Sequence, residues 1–337
     1  MSRFLLGLLS LVFLITYASA GVKAPKEKAP PEATAFVDCN EGDRIIDALA
    51  TPALNLTIEI NGICSEDVSI DRTNVTLRGD NPLEDGIRPD PDGLQRQALT
   101  LRNVSIINIE NLTLTGAFTG IGINDSFGVN VTNCRLENNH FAGAIIGTAS
   151  GSINFTDTIV SAPIPPGGAR LLRGIWVANA SFVRCLNCTI NDYRDSLYVS
   201  TGAQLYVEGG SFTAGRRALT VLDNASTDMT VPFGSTDTIP ISGYVRIDNK
   251  GFASLRNVLQ SDSGPSHSIR RGASLVIQGS TSLNSGALVG EFANMTLLGT
   301  STLSGNLSCF NGGDAYCADP ATQTSSANCG QCMTPSP

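Results

Sequence analysis

The chain has 337 residues, a formal net charge of −8 and only 15% charged residues. Four Lys are present, three of them before residue 30, so no basic tract suits nucleic acid or an anionic membrane surface. Two His without metal-ligand spacing argue against a zinc enzyme, and low charge with few Pro argues against disorder or a coiled coil.

Residues 1–20 read as an export signal. Arg3 gives the positive start, Phe4 to Ile15 the apolar run, and Ala18-Ser19-Ala20 a small-residue cleavage site. The run is too short to span a bilayer, so no membrane insertion is expected. The mature protein would be secreted, periplasmic or at the cell surface. Residues 21–35 form a Pro/Lys/Ala spacer without periodicity, expected to be disordered.

From residue 36 the chain changes character. In VDCNEGDRIIDALA, Asp43 is placed to cap a short helix whose Ile45, Ile46 and Leu49 share one apolar face. Cys39 and Cys64 flank that helix and are expected to be bonded, since export permits oxidation. The segment 80–97 carries Asp85, Asp90 and Asp92, candidate calcium ligands that are equally plain turn residues; no other cofactor is indicated.

The remainder is written in short β-type words broken by Asn, Gly, Ser and Asp, such as LTIEI (56–60), LTL (112–114) and LYV (197–199). The words recur. Leu114, Leu136, Val160, Ile190 and Phe212 follow one another at 22, 24, 30 and 22 residues. A second inward series is Ile123, Ile145, Ile175, Leu197 and Leu219, and a third is Leu255, Leu275 and Met295. The extra residues in the longest interval fall in SAPIPPGGAR (161–170), a loop by composition. A period near 22 with two or three strands per repeat predicts an all-β solenoid, in which each repeat is one coil of a parallel β-helix stacked at ~4.8 Å. About ten coils are expected on this period.

On these words, and on the opening VDCNEGDRIIDALA…INGICSEDVSIDRTNVTLRG, residues 36–308 resemble the right-handed parallel β-helix superfamily of pectate lyases and polygalacturonases. They also resemble secreted bacterial β-helix proteins. The resemblance implies a polysaccharide partner. It predicts a solenoid over 36–308 between a short N-terminal capping helix and a Cys-rich C-terminal cap over 309–337. Cys309, Cys317, Cys329 and Cys332 are expected to form two disulfides there, in an order the sequence leaves open. Cys134, Cys185 and Cys188 sit inside coil words and read as buried thiols. A dozen N-x-S/T sequons, among them Asn55, Asn74, Asn103, Asn111 and Asn224, follow from Asn and Thr at strand ends. Oligomeric state is not readable.

Register points to one candidate site. Trp176 and Tyr198, grouped with Ile146 and Thr220, are expected to face outward beside the small residues Gly122, Ala144, Gly174, Ser196 and Ala218. Rings beside a smooth stripe suit stacking on sugar faces. In the preceding turn, Arg173, Asp195 and Arg217 share a column, as do Leu172, Arg194 and Arg216. His140, Arg170 and Asp192 form a further column, and Phe141, Leu171 and Tyr193 another. This locally positive turn suits a polyuronate. Binding would fall to Arg173, Trp176, Tyr198 and Arg217. Catalysis, if any, would fall to His140, Tyr193, Arg194, Asp195 and Arg216.

The segment Asp195-Ser196-Leu197-Tyr198-Val199 is similar to the Asp-Gly-Phe-Asp-Ile word of polygalacturonases. The next coil departs from it, with Arg216-Arg217 where that family has paired acids. Hydrolysis by two carboxylates is therefore disfavoured. Lyase-type β-elimination, glycan binding without turnover, and a structural or cell-surface role all stay open.

Overall fold

The computed structural model describes residues 32–89, 96–162, 172–232, 234–317, 322–327 and 329. The expected signal at 1–20, most of the loop 161–170 with Arg170 and Leu171, and Asp90, Asp92 and Cys332 lie outside them.

The described chain is a parallel β-solenoid whose coils contribute to three ladders. The first ladder has 13 strands, from Glu32–Asp38 to Asp314–Cys317. One coil runs from Phe127–Thr132 through the three-residue strand Arg135–Glu137 and then Ala142–Gly147, and rejoins the first ladder at Gly151–Thr156. The second and third ladders merge where Ser211–Val221, Ile239–Ile247 and Thr302–Phe310 run through both.

The inward rows make the core. Leu114, Leu136, Val160, Ile190 and Phe212 pair in the expected order, and all are fully buried. Burying each such side chain is worth about 1.5–3 kcal/mol, and every coil repeats the gain. The turns explain the Asn content. Asn111, Asn133, Asp157, Asn187 and Gly209 hold φ between 49° and 71°, which Asn, Asp and Gly tolerate best. Their side chains also bond between coils: Asn133 Nδ2 donates to Asn111 Oδ1 at 2.8 Å and Asn187 Nδ2 to Asp157 Oδ1 at 2.6 Å.

Two of the expected rows slip. Ile123 pairs with Ile146, and Ile146 with Val177, so Ile145 belongs with Trp176. Leu275 and Met295 do pair, but their partner one coil earlier is Ala253, with Leu255 aligned on Ile277. Ala144, Ser196 and Ala218 are buried, and of the small stripe only Gly122 shares a row with Trp176. A Cβ on Gly174 would collide with Ile190 Cγ2, which places this position against the core.

The ends also differ in detail. Strand Glu32–Asp38 begins inside the expected spacer and covers the edge of Asn55–Asn61. The helix is a single turn, Ile45–Ala48, with Ile45 buried and Ile46 exposed. Asp43 does not cap it. The buried Glu66 does, accepting the backbone N–H of Ile45 at 2.6 Å, while Asp43 Oδ2 accepts from Asp38 N. At the other end the ladders continue through Asp314–Cys317 and Thr322–Ala327, so the expected limit at 308 falls inside a strand.

Cys39 and Cys64 are bonded, with Cα atoms 4.9 Å apart. Cys309 is joined to Cys329, and Cys317 is also disulfide-bonded. Cys185 and Cys188 form a bond rather than remaining thiols. Cys185 is next to last in strand Phe182–Leu186 and Cys188 immediately precedes strand Thr189–Asn191, and the tight Asn187 turn between them brings their Cα atoms within 5.8 Å. Cys134 is free and buried, and burial pushes its thiol up to about 12. No helix among the described residues is long and apolar enough to cross a membrane.

Candidate functional site

The third ladder brings three rows together. Its edge row is Gln97, Thr119, Ala142, Arg173, Asp195, Arg217 and Tyr244. Its outward row is Thr100, Gly122, Ile145, Trp176, Tyr198, Thr220 and Arg246. In the turn before the edge row stand Arg96, Phe118, Phe141, Leu172, Arg194 and Arg216. Phe118 N donates to Arg96 O at 2.9 Å, Phe141 N to Phe118 O at 2.7 Å, and Arg216 N to Arg194 O at 3.1 Å.

Arg173 is the centre of the arrangement. Its guanidinium lies 3.8 Å from the ring centroids of both Trp176 and Tyr198. The two rings meet edge to face with centroids 5.9 Å apart, and Trp176 Nε1 donates to Ser200 Oγ at 3.4 Å. Burial lowers the Arg173 pKa below its ordinary value, although Tyr198 and Asp195 favour the charged form. The aromatic wall continues towards the N-terminal coils. Phe141 is 6.2 Å from Trp176, and it stacks on Phe118 at 4.6 Å with the planes 10° apart. Such contacts are worth about 0.5–1.5 kcal/mol each beyond burial.

Beside it lies an ion cluster. Arg217 Nη1 reaches both oxygens of Asp195 at 3.3 Å, and Arg217 Nε donates to Tyr244 Oη at 2.8 Å. Arg194 Nη2 is 3.4 Å from Asp195 Oδ2. The column Arg173–Asp195–Arg217 is as the sequence indicates, and the column Leu172–Arg194–Arg216 likewise.

Several expected roles change. Tyr193 is fully buried in the core, its hydroxyl donating to Asn139 O at 3.4 Å, and burial raises its pKa. It cannot touch a ligand and leaves the catalytic set. Asp195 has no exposed surface either, so it positions Arg217 and Arg194 rather than acting on substrate. Arg217 is almost buried, so its role is to hold Asp195 and Tyr244. His140 and Arg216 are exposed, and Arg194 is half-buried. His140 aligns with Tyr193 instead of Asp192: His140 N donates to Ala117 O, and Gly215 N to Tyr193 O, in one row. Phe141 therefore joins Phe118 and Leu172.

The sequence reading missed Phe118 and Tyr244. Phe118 precedes Phe141 by the coil interval, a usable signal. Tyr244 follows Arg217 by 27 residues across a longer turn, and the change of interval hid it. Asp85, the described member of the calcium candidates, already accepts the backbone N–H groups of Gly62, Asp80 and Asn81 at 2.8–2.9 Å. His267 is fully buried in strand His267–Ile269.

The family described as right handed beta helix region matches residues 61–231, just over half of the chain. An endo-xylogalacturonan hydrolase from Aspergillus tubingensis superposes with a TM-score of 0.52 at 13% identity, over 91% of this chain and 98% of that one. An alginate lyase from Paenibacillus sp. str. FPU-7 gives 0.41 at 12% identity, over 88% of this chain and 98% of that one. The pectate lyase Pel9A gives 0.42 at 9% identity, over 88% and 79%. At these identities the likeness is one of fold. No curated protein matches the chain.

Proposed function

The chain belongs to the right-handed β-helix family, and from that premise we propose that it is an exported protein that binds an acidic polysaccharide along the outer face of its third ladder. The observation that carries the reading is Arg173, held over Trp176 and Tyr198, with Arg194 and the exposed Arg216 in the adjoining row. Two rings fix the guanidinium before any ligand arrives, so little side-chain freedom is lost when it meets a carboxylate. The disulfides Cys39–Cys64, Cys185–Cys188 and Cys309–Cys329 support an oxidising, extracytoplasmic setting.

If turnover accompanies binding, β-elimination suits the exposed groups better than hydrolysis. His140 would take the proton α to the uronate carboxylate, and Arg173, one coil along from it, would offset the developing charge. The C–O bond to the neighbouring sugar would break, a C=C bond would form, and the departing oxygen would take up a proton.

Calorimetry with polygalacturonate, alginate and a neutral β-glucan tests the reading. Retention of the acidic chains alone is expected, weakened by salt. R194A/R216A should lower that affinity at least tenfold while circular dichroism stays unchanged. Equal affinity for the neutral glucan, or an unaffected double variant, would overturn it. Ultraviolet absorbance of an unsaturated uronate in the same mixtures separates a lyase from a binder.

A further inference from the structure

We propose that this glycan face has a second cationic subsite at Arg96 and Arg102, towards the N-terminal coils, and that the ligand is a uronate chain long enough to occupy both. The inference rests on the acidic-glycan reading above and extends it to ligand length and polarity of charge along the groove.

A recess of ≈300 Å³ opens on the third ladder between Asp67, Ser69, Arg96, Gln97, Thr100 and Arg102. It is part of the same surface as the Arg173 site. Thr100 stands in the outward row of Trp176 and Tyr198, three coils away from Trp176. Arg96 stands in the turn row of Arg194, four coils away from it. At a coil rise of ~4.8 Å the two cationic positions are roughly 19 Å apart.

What lies between them suits a sugar chain. Phe118 and Phe141 form a stacked apolar wall that ends at Trp176. Gly122 lets the Gln97 carboxamide lie flat across the floor, where a Cβ would collide with it. The turn row thus reads Arg, Phe, Phe, Leu, Arg, Arg along the axis. Guanidinium groups sit at both ends and apolar surface in the middle.

The recess has chemistry of its own. Arg96 is ion-paired with Asp67, and both line the recess. Thr100 Oγ1 donates to Gln97 Oε1 at 2.8 Å, which leaves the Gln97 amide N–H groups as donors. Arg102 is exposed at the rim. Two guanidiniums and a fixed amide suit an anion that also carries hydroxyls, as a uronate does. One sugar per coil rise means that about five or six units span both ends.

Titration calorimetry of the full chain with a galacturonate trimer and octamer tests this. The wild type should bind the octamer at least tenfold more tightly than the trimer. R96A/R102A should lose that gain and keep its trimer affinity within twofold. R102A alone, on an exposed side chain, should lose part of the gain even if Arg96 proves necessary for folding. An octamer no tighter than the trimer, or an octamer affinity untouched in R96A/R102A and in R102A, would overturn the second subsite. If both lengths bind equally and R194A/R216A weakens both, the acidic-glycan reading stands and only this inference falls. If neither length nor the polymers bind, both fall together.

Discussion

Arg217 and Asp195 face each other from successive coils, with Nη1 of the first 3.3 Å from both oxygens of the second. Asp195 is wholly buried and the Arg217 side chain is only 10% exposed. The pair is part of the interior edge of the site, and its weight is greatest when one partner is lost.

Asp195→Asn should therefore cost about 3 kcal/mol, because it leaves the Arg217 charge desolvated without its counter-ion. Adding Arg217→Met should recover much of that loss, as it removes the stranded charge. Denaturant midpoints of the two variants decide it. A double variant no more stable than Asp195→Asn alone would mean that the charge is not the source of the cost.

His267 should make the protein acid-sensitive. It is fully buried, and burial lowers its pKa to about 4 from an ordinary 6.5. Nδ1 accepts from Val245 N at 2.9 Å, and Nε2 lies 3.2 Å from Gln260 Oε1, a geometry that needs a neutral ring protonated at Nε2. The unfolded chain binds a proton below pH 6.5 that the folded chain refuses until about pH 4. Stability from this group is thus complete above pH 6.5 and falls by about 3 kcal/mol as pH drops to about 4. His267→Gln should flatten the melting temperature across that window. Parallel pH profiles for the variant and the wild type would rule His267 out.

Ile106 is a site of backbone strain. It is β-branched, 58% exposed, and held at φ 59°. Gly128, on the adjoining coil, holds φ 66° there at no steric cost. Ile106→Asn should stabilise the fold by about 1 kcal/mol, since Asn tolerates the left-handed region and little apolar burial is lost. A lower denaturation midpoint would show that the Ile106 side chain contributes more than its backbone costs.

The disulfides should rank by the chain they close. Cys39–Cys64 spans 25 residues and Cys185–Cys188 only 3. In the chain-entropy relation, removing the first costs about 3.5 kcal/mol and the second about 2. C39A/C64A should accordingly melt below C185A/C188A. The reverse order in calorimetry would place the worth of these bonds in local packing.

The repeat was legible from the sequence because stacked coils put chemically similar residues at a constant interval. Leu114, Leu136, Val160, Ile190 and Phe212 show it without coordinates. So did the Arg173–Asp195–Arg217 column, since both intervals there are a plain 22 residues. The Asn-rich turns were visible as composition, and their φ values supply the reason.

Only the tertiary structure decided what a one-residue change of interval does. Thr119–Asn124 and Ala142–Gly147 are offset by 23 residues, and that single extra residue moves Ile145 to the outer face and Ile146 to the core. Side chains alternate along a strand, so an error of one inverts inside and outside. The same limit hid the burial of Tyr193, which lies in a turn where alternation gives no guide. It also hid the Cys185–Cys188 bond, which depends on how sharply the chain bends at Asn187. Periodicity reports which residues share a row. Which way a row points, and what it touches, is set by turn lengths and packing that only the folded coils define.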